Sequence, residues 1–297
     1  MYKPPGWPHS LPARKLDRNP GPMSANVGYE SPGIAGSGAI ATGLAAVSTT
    51  TADTILLARS EASAWRAEEK VVAACAKIDG AEPSRLRVTT DPGDLSDCDV
   101  VVEAVIEELE PKGEVLSTVA EACPDADLAS TTSSLSVAEI ATAAGIPGRL
   151  FGLHVFNPVP RMKLVEVCIP QGVGDETREK ALAWCAALGK TVVEVPDQSG
   201  FVVNRLLFPY LFDAVRMVER TGMEAGEVDA CMKLGAGHPM GPLALLDFVG
   251  LDVAEAIGDA IHADSSDPAH HPPGLIVELI GEEKLGRKSG TGFYTYD

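Results

Sequence analysis

The sequence lacks any apolar run of the roughly 18 to 20 residues that a membrane-spanning helix needs. Its longest apolar stretch, residues 35–47, is interrupted by glycines. Residues 1–26 hold six prolines and no apolar core of the kind that a signal peptide contains. We therefore expect no membrane insertion, and we interpret residues 1–26 as a flexible leader.

Paired cysteines are absent as well. The six cysteines stand singly and never reach the CxxC spacing that metal and redox sites commonly use. They are Cys75, Cys98, Cys123, Cys168, Cys185 and Cys231. This pattern predicts reduced thiols in a cytoplasmic protein and no metal site.

Basic residues are outnumbered, since 24 Lys and Arg stand against 42 Asp and Glu, for a formal net charge of -18. Nucleic acids and anionic membranes would be repelled at long range, so neither is expected as a partner. The remaining composition is that of a folded protein, with 45% hydrophobic and 22% charged residues. A chain of 297 residues is long enough for two compact domains.

Short apolar runs alternate with longer amphipathic stretches up to residue 196, which is the pattern of a parallel sheet covered by helices. Predicted strands cover residues 34–35, 54–58, 87–89, 99–104, 127–130, 150–154, 163–169 and 191–195, and predicted helices cover 38–47, 60–78, 111–122, 136–144 and 176–188. The first strand is a poor one because Pro32 and Gly33 weaken it.

Helical patterns dominate after this point, at residues 201–221, 224–234, 241–261 and 274–280. The sequence therefore predicts an α/β fold in two parts. A Rossmann-type dinucleotide-binding domain at residues 27–196 is followed by an all-α domain at residues 197–297.

A glycine-rich loop follows the first predicted strand. Its residues fit the pattern GxGxxG/A and are Gly36, Ser37, Gly38, Ala39, Ile40 and Ala41. Glycines at this spacing allow a tight turn and let backbone amides approach a pyrophosphate at a helix N-terminus. Taken alone the motif is weak, but its position between a strand and an apolar helix favours a dinucleotide site.

The end of the second predicted strand bears on which dinucleotide binds. Sites for NAD usually place an acidic side chain there to bind the ribose hydroxyls. This chain has Ala58, followed by Arg59 and Ser60, which can donate charge-assisted hydrogen bonds to a 2'-phosphate. The sequence thus predicts NADP, with NAD as the alternative if Arg59 is only a solvated surface residue.

Two polar residues interrupt apolar strands. His154 ends the run 150–153, and period-two alternation puts Glu166 on the same face as Leu164 and Cys168. A buried carboxylate needs a hydrogen-bond donor, and the histidine on the preceding strand, His154, is the simplest candidate. The alternative is an exposed edge strand with Glu166 in water.

Other polar residues stand at comparable places. Asn204 lies on the apolar stripe of a predicted helix, where it either caps a neighbouring backbone group or reaches into a cleft between the domains. Ser133 and Ser134 follow a strand and precede a helix, so capping of that helix is their default interpretation.

These residues occur in segments that resemble the L-3-hydroxyacyl-CoA dehydrogenase family from residue 33 to 297. The segments are STTSSL at 130–135, GLHVFNPVP at 152–160, MKLVEV at 162–167, GFVVNR at 200–205, LGAGHPMGP at 234–242 and GTGFY at 290–294. The resemblance implies reversible oxidation of a 3-hydroxyacyl-CoA, such as 3-hydroxybutyryl-CoA, by a nicotinamide dinucleotide. It also implies a homodimer formed through the helical domain, and an apolar helix face near residues 243–249 is compatible with that.

The resemblance assigns roles as well. It implies that His154 is the general base, that Glu166 orients it, and that Ser133 and Asn204 bind the substrate oxygen. Further cofactor contacts are implied at positions that would otherwise pass as ordinary surface residues or turn residues: Glu107, Lys112, Ser133, Asn157 and Lys288.

The chain departs from the family pattern at two places. The family normally has an acidic residue where this chain has Ala58, and the helical excursion after the second strand is shorter here. The family's coenzyme A contacts in that shorter region have no clear counterpart, so a dehydrogenase of a free hydroxy acid or sugar acid, similar to an L-gulonate dehydrogenase, stays open. A non-catalytic dinucleotide-binding sensor is the alternative of another class.

Overall fold

The computed structural model describes residues 28–296 of the chain, so the leader predicted at residues 1–26 lies outside the described residues. The strands in this range are β1 (Pro32–Ala35), β2 (Thr54–Leu57), β3 (Leu86–Thr89), β4 (Val100–Glu103), β5 (Asp127–Ser130), β6 (Leu150–Val155), β7 (Leu164–Cys168) and β8 (Thr191–Val195). They form one sheet in the order β3-β2-β1-β4-β5-β6-β7-β8.

Along the chain, the first five α-helices occur between successive strands. They are α1 (Ala39–Ser48), α2 (Glu61–Cys75), α3 (Leu109–Ala122), α4 (Val137–Ala143) and α5 (Asp175–Ala187). The next five follow the sheet: α6 (Val203–Thr221), α7 (Ala225–Ala236), α8 (Pro242–Val249), α9 (Leu251–Ser265) and α10 (Gly274–Gly281). The predicted fold class, a Rossmann-type sheet followed by a helical domain, is confirmed. None of these helices combines the length and apolar character needed to cross a bilayer.

Helices cover both faces of the sheet. One apolar cluster joins α1, α2 and α5 to one face, and a second joins α3 and α4 to the other face. A third cluster lies among α6 to α10 and is built around Phe208, Phe212 and Ile261. Each part of the chain therefore has its own core.

The weak first strand is better formed than the sequence indicates. β1 is fully buried and pairs with both β2 and β4 in the middle of the parallel strands. Pro32 is its first residue, where a proline is tolerated. A Cβ on Gly33 would lie 2.9 Å from Leu95 and 3.0 Å from Cys98, so the glycine permits close packing beneath the strand.

The alternating pattern predicted a parallel sheet, but one pair of neighbouring strands is antiparallel. β7 runs antiparallel to β6, and β8 runs parallel to β7. The connection from β6 to β7 spans only residues 156–163, and a parallel crossover needs about a dozen residues or more. The reversal places residue 154 of β6 directly opposite residue 166 of β7.

One helix predicted for the second domain is wrong in its extent. The stretch 241–261 forms two helices, α8 and α9, that are separated at Gly250. Gly250 has a φ of 105°, a conformation that side-chain-bearing residues rarely adopt. The apolar periodicity continues through the break, and the glycine marks the turn.

Candidate active site

The glycine loop connects β1 to α1 and lines a cavity of about 770 Å³. Gly36 has a φ of 144°, and a Cβ there would lie 2.3 Å from the carbonyl oxygen of Ala104. Gly38 is the N-cap of α1 and has no side chain to cap the helix, and a Cβ on it would meet nothing within 4 Å. The first turn of α1 thus presents free backbone N–H groups to open space, which fits a pyrophosphate.

Five predicted cofactor residues of the loop line this cavity, namely Gly36, Ser37, Gly38, Ala39 and Ile40, and so does Arg59. Ser60 does not. Its hydroxyl accepts a hydrogen bond from the backbone N–H of Ser63 and caps α2. Ser60 therefore has a structural role as a helix cap. Of the two predicted polar side chains after β2, Arg59 is the one that lines the cavity.

His154 and Glu166 form the buried pair that the strand pattern predicted. Nδ1 of His154 lies 2.7 Å from Oε2 of Glu166, and both residues are buried. The interpretation of Glu166 as a solvated edge residue is therefore wrong. With Nδ1–H donating to the carboxylate, Nε2 keeps its lone pair free to accept a proton.

Aromatic rings and a helix start hold this pair in place. The imidazole centroid lies 4.4 Å from that of Phe156 and 5.6 Å from that of Phe201. The second oxygen of Glu166, Oε1, accepts hydrogen bonds from the backbone N–H groups of Val202 at 3.1 Å and Val203 at 3.0 Å. Glu166 therefore connects the sheet to the first turn of α6, because one of its oxygens contacts the imidazole and the other accepts from the backbone of the helix.

Glu107 organises the loop that carries Ser133. Its Oε1 accepts hydrogen bonds from the backbone N–H groups of Ser133 at 2.7 Å and Ser134 at 2.9 Å, and from the hydroxyl of Thr132 at 2.8 Å. Burial opposes ionisation, but the Lys112 ammonium and these donors lower the pKa of Glu107 to about 2. The capping interpretation of Ser133 and Ser134 is wrong, because Ser136 caps α4.

Lys112 is buried and does not behave as a solvated charge. Its ammonium lies 3.0 Å and 3.2 Å from the two oxygens of Glu103 and 3.1 Å from Oε2 of Glu107. The ammonium has three N–H donors, and these three oxygens match them. Lys112 lies behind the Ser133 loop and does not line the cavity at the glycine loop.

Asn204 reaches from the helical domain to the same loop. Its side-chain nitrogen donates to the backbone carbonyl of Ser133 at 3.3 Å. The amide has a second N–H, so one donor stays available next to Ser133. Asn204 therefore does not cap a neighbouring backbone group, but reaches from the helical domain to the loop that follows β5.

The remaining predicted residues are dispersed. Asn157 is exposed in the turn after β6. Lys288 pairs with Asp252 in the helical domain, and neither Lys288 nor Asn157 lines the cavity. The structure thus brings the glycine loop and Arg59 together in one cavity, gathers His154, Glu166, Ser133 and Asn204 around the start of α6, and places Glu107 and Lys112 behind Ser133.

Sequence reasoning missed two charged residues at these places. Glu103, which is fully buried at the end of β4, also accepts from the hydroxyl of Ser130 at 2.6 Å. It ends an apolar strand, which is the signal that identified Glu166. Arg66 lines the cavity at the glycine loop from α2, and nothing in the local sequence distinguishes it from a surface arginine. The six cysteines are free thiols, and no metal-ligand cluster occurs within residues 28–296.

The two parts of the chain match two models of one family. Residues 32–198 match the model described as "3-hydroxyacyl-CoA dehydrogenase, NAD binding domain", and residues 200–296 match its "C-terminal domain". The first match indicates a nicotinamide dinucleotide as the cofactor.

Known proteins resemble the chain over most of its length. It is 42% identical over 213 residues to a probable 3-hydroxybutyryl-CoA dehydrogenase of Deinococcus radiodurans, covering 71% of this chain and 77% of that protein. It is 44% identical over 216 residues to the human mitochondrial hydroxyacyl-coenzyme A dehydrogenase, covering 72% and 69%. The crystal structure of FadB2 from M. tuberculosis superposes with a TM-score of 0.86 at 37% identity, covering 91% of this chain and 100% of that one. The chain therefore belongs to the 3-hydroxyacyl-CoA dehydrogenase family.

Proposed function

We propose that the protein reversibly transfers a hydride between a 3-hydroxyacyl-CoA and a nicotinamide dinucleotide, with the 3-oxoacyl-CoA as the oxidised product. The buried contact of His154 with Glu166 carries this proposal. It lies at the end of β6, on the same sheet as the glycine loop after β1. A histidine with one ring nitrogen held by a carboxylate has no use in a dinucleotide-binding sensor, but it serves a reaction that moves a proton.

His154 acts as the base in the oxidative direction. As the C3–H bond breaks, Nε2 accepts the proton of the C3 hydroxyl, and the ionised Glu166 stabilises the imidazolium that forms. In the reductive direction the same nitrogen returns the proton to the carbonyl oxygen. One ring nitrogen can both accept and return a proton, so the same group serves both directions.

Ser133 and Asn204 bind the reacting oxygen. Asn204 keeps one N–H free beside Ser133, and the Ser133 hydroxyl makes only a long contact, 3.4 Å, with Glu107. Both donors are thus available to an oxygen that gains negative charge during reduction. Each such donor is worth about 3 kcal/mol in comparable sites.

The dinucleotide, when bound, supplies the hydride acceptor and donor. The residues that hold it are the glycine loop, whose Gly36 and Gly38 let the chain approach a pyrophosphate, and Arg59 at the end of β2. We propose NADP(H) as the preferred form, because Ala58 provides no carboxylate to repel a 2'-phosphate and Arg59 provides a charged donor.

A coenzyme A thioester is supported as substrate by the names of the relatives, several of which are 3-hydroxybutyryl-CoA dehydrogenases. The six free thiols fit a reducing compartment such as the cytoplasm. We further propose a homodimer formed by the helical domain, which exposes large apolar side chains at Leu206, Leu234 and Phe248. Leu243 and Leu246 are buried in that domain's core and do not contribute an outer apolar face.

Loss of nicotinamide absorbance with acetoacetyl-CoA tests the reaction, with NADPH and NADH in parallel. We expect turnover with acetoacetyl-CoA and a higher kcat/KM with NADPH. Turnover of free acetoacetate at a comparable kcat/KM would instead favour the free hydroxy acid as substrate. Binding of the dinucleotide without turnover of either compound would favour the sensor.

A further inference from the structure

The order of strands in the sheet assigns the two ends of the dinucleotide cavity. The pair His154–Glu166 lies on β6 and β7, on the far side of β4 and β5 from the glycine loop after β1. A nicotinamide ring that exchanges hydride with a substrate next to His154 must point toward that side. The adenosine half must then lie over the ends of β2 and β3, on the other side of β1.

Two arginines line the cavity at this end. Arg59 lies two residues after the end of β2, and Arg66 projects from α2. Ser63 also lines the cavity, and residues three apart lie on the same face of a helix. Capping by Ser60 fixes the start of α2 and thereby the phase that turns residue 66 toward the cavity.

Neither guanidinium forms an ion pair with another residue in the range 28–296. Arg87 on neighbouring β3 shows the contrast, because it pairs with Asp94 at 2.5 Å. Two unpaired guanidinium groups facing one cavity therefore make a local positive site in an acidic protein.

The nearby carboxylates leave this site free. Glu61, in the first turn of α2, accepts a hydrogen bond from the Thr90 hydroxyl at 2.9 Å and does not line the cavity. Glu114 does line it, but from α3, which packs on the opposite face of the sheet from α2. Ala58 is buried and lacks a polar side chain.

We propose that Arg59 and Arg66 together bind a phosphomonoester on the adenosine ribose, namely the 2'-phosphate of NADP(H), and that Arg66 is a specificity-determining residue. This inference rests on the proposed function, since it assumes that a nicotinamide dinucleotide occupies the cavity. A phosphomonoester carries close to two negative charges at neutral pH, and two planar guanidinium groups provide matching charge and hydrogen-bond donors.

The same chemistry occurs in coenzyme A, which carries a 3'-phosphate on its adenosine. Calorimetric titration with three fragments separates the sources: 2',5'-ADP represents NADP, 5'-AMP represents NAD, and 3',5'-ADP represents coenzyme A. We expect wild-type protein to bind 2',5'-ADP at least about tenfold more tightly than either of the other two.

Variants of the two arginines assign the binding. Arg66→Ala and Arg59→Ala should each weaken 2',5'-ADP binding by about tenfold or more and change 5'-AMP binding by less than about twofold. Arg66→Lys should recover only part of the loss, because lysine lacks the planar fork. Arg220→Ala removes an exposed arginine from the helical domain, and it should leave all three affinities unchanged.

Equal loss of 2',5'-ADP and 5'-AMP binding in Arg66→Ala would overturn the inference, as would wild-type protein that does not discriminate between them. Binding of 3',5'-ADP as tight as that of 2',5'-ADP, with the same dependence on Arg66, would assign the site to coenzyme A and also overturn it. Because these titrations need no turnover, their outcome is independent of whether the protein reduces acetoacetyl-CoA.

Discussion

Nδ1 of His154 lies 2.7 Å from Oε2 of Glu166, across a directly opposed pair of residues on two antiparallel strands. The contact depends on the reversal of chain direction between β6 and β7. Because Oε1 of the same carboxylate accepts two backbone N–H groups at the start of α6, the orientation of the imidazole is tied to the junction of the two domains.

Glu166→Gln is expected to lower kcat by about a hundredfold or more, because an amide cannot stabilise an imidazolium as a carboxylate does. If the two residues act as one unit, adding His154→Gln should cost much less than it does alone. Glu194→Gln on β8, which alters an exposed ion pair with Arg178, is the matched control. Additive effects in the double variant would place Glu166 outside the catalytic unit.

Substitution by alanine is predicted to lower stability at Gly36 and to weaken dinucleotide binding at Gly38. Gly36→Ala places a methyl group against the Ala104 carbonyl at a positive φ, so the free energy of unfolding should fall by more than about 1 kcal/mol. Gly38 has a φ of -76° and no neighbour to meet. Gly38→Ala should keep its Tm and weaken dinucleotide binding about tenfold, whereas unchanged binding would mean that the dinucleotide does not approach this turn.

Lys112→Met is predicted to leave two carboxylates without their cation. Glu103 is fully buried, so the free energy of unfolding should fall by about 3 to 5 kcal/mol in urea titrations. Neutralising the partner in Lys112→Met/Glu103→Gln should restore part of this loss. A double variant less stable than Lys112→Met would show that Glu103 is held by its other donors.

Glu107 gives a pH-dependent prediction. Its pKa is lowered from 4.5 to about 2 in the folded protein. A carboxyl group with a lowered pKa stabilises the fold above its unfolded pKa, and this stabilisation disappears as the pH falls through the folded value. The stability difference between wild type and Glu107→Gln should thus be constant above about pH 5 and shrink toward pH 2. A difference that does not change with pH would contradict the ionised state of Glu107.

Much of the site can be predicted from the sequence, because single polar residues stand out on apolar strands. His154 and Glu166 were found in this way, and the same reasoning applied to the strand 100–103 would have found Glu103. The helix phase of Arg66 was not predictable, because it depends on where the cap at Ser60 starts α2 and on which face of the sheet α2 covers.

Local sequence patterns also failed to predict features of the fold that depend on packing or on chain connections. Pro32 and Gly33 argue against a strand, yet tight packing against Leu95 and Cys98 makes a glycine suitable there. Gly250 breaks a helix whose apolar period continues on both sides of it. The direction of β7 depends on the length of the preceding loop, and period-two alternation carries no information about strand direction.

The most direct test of the account is the reduction of acetoacetyl-CoA by NADPH, measured for wild-type protein and His154→Gln with dinucleotide binding titrated in both. We predict that wild-type protein turns over and that the variant loses about a hundredfold or more in kcat. The variant should bind NADPH with nearly normal affinity, because His154 removes a proton and does not line the dinucleotide cavity. Substantial turnover by a correctly folded His154→Gln protein would contradict the assignment of His154 as the base.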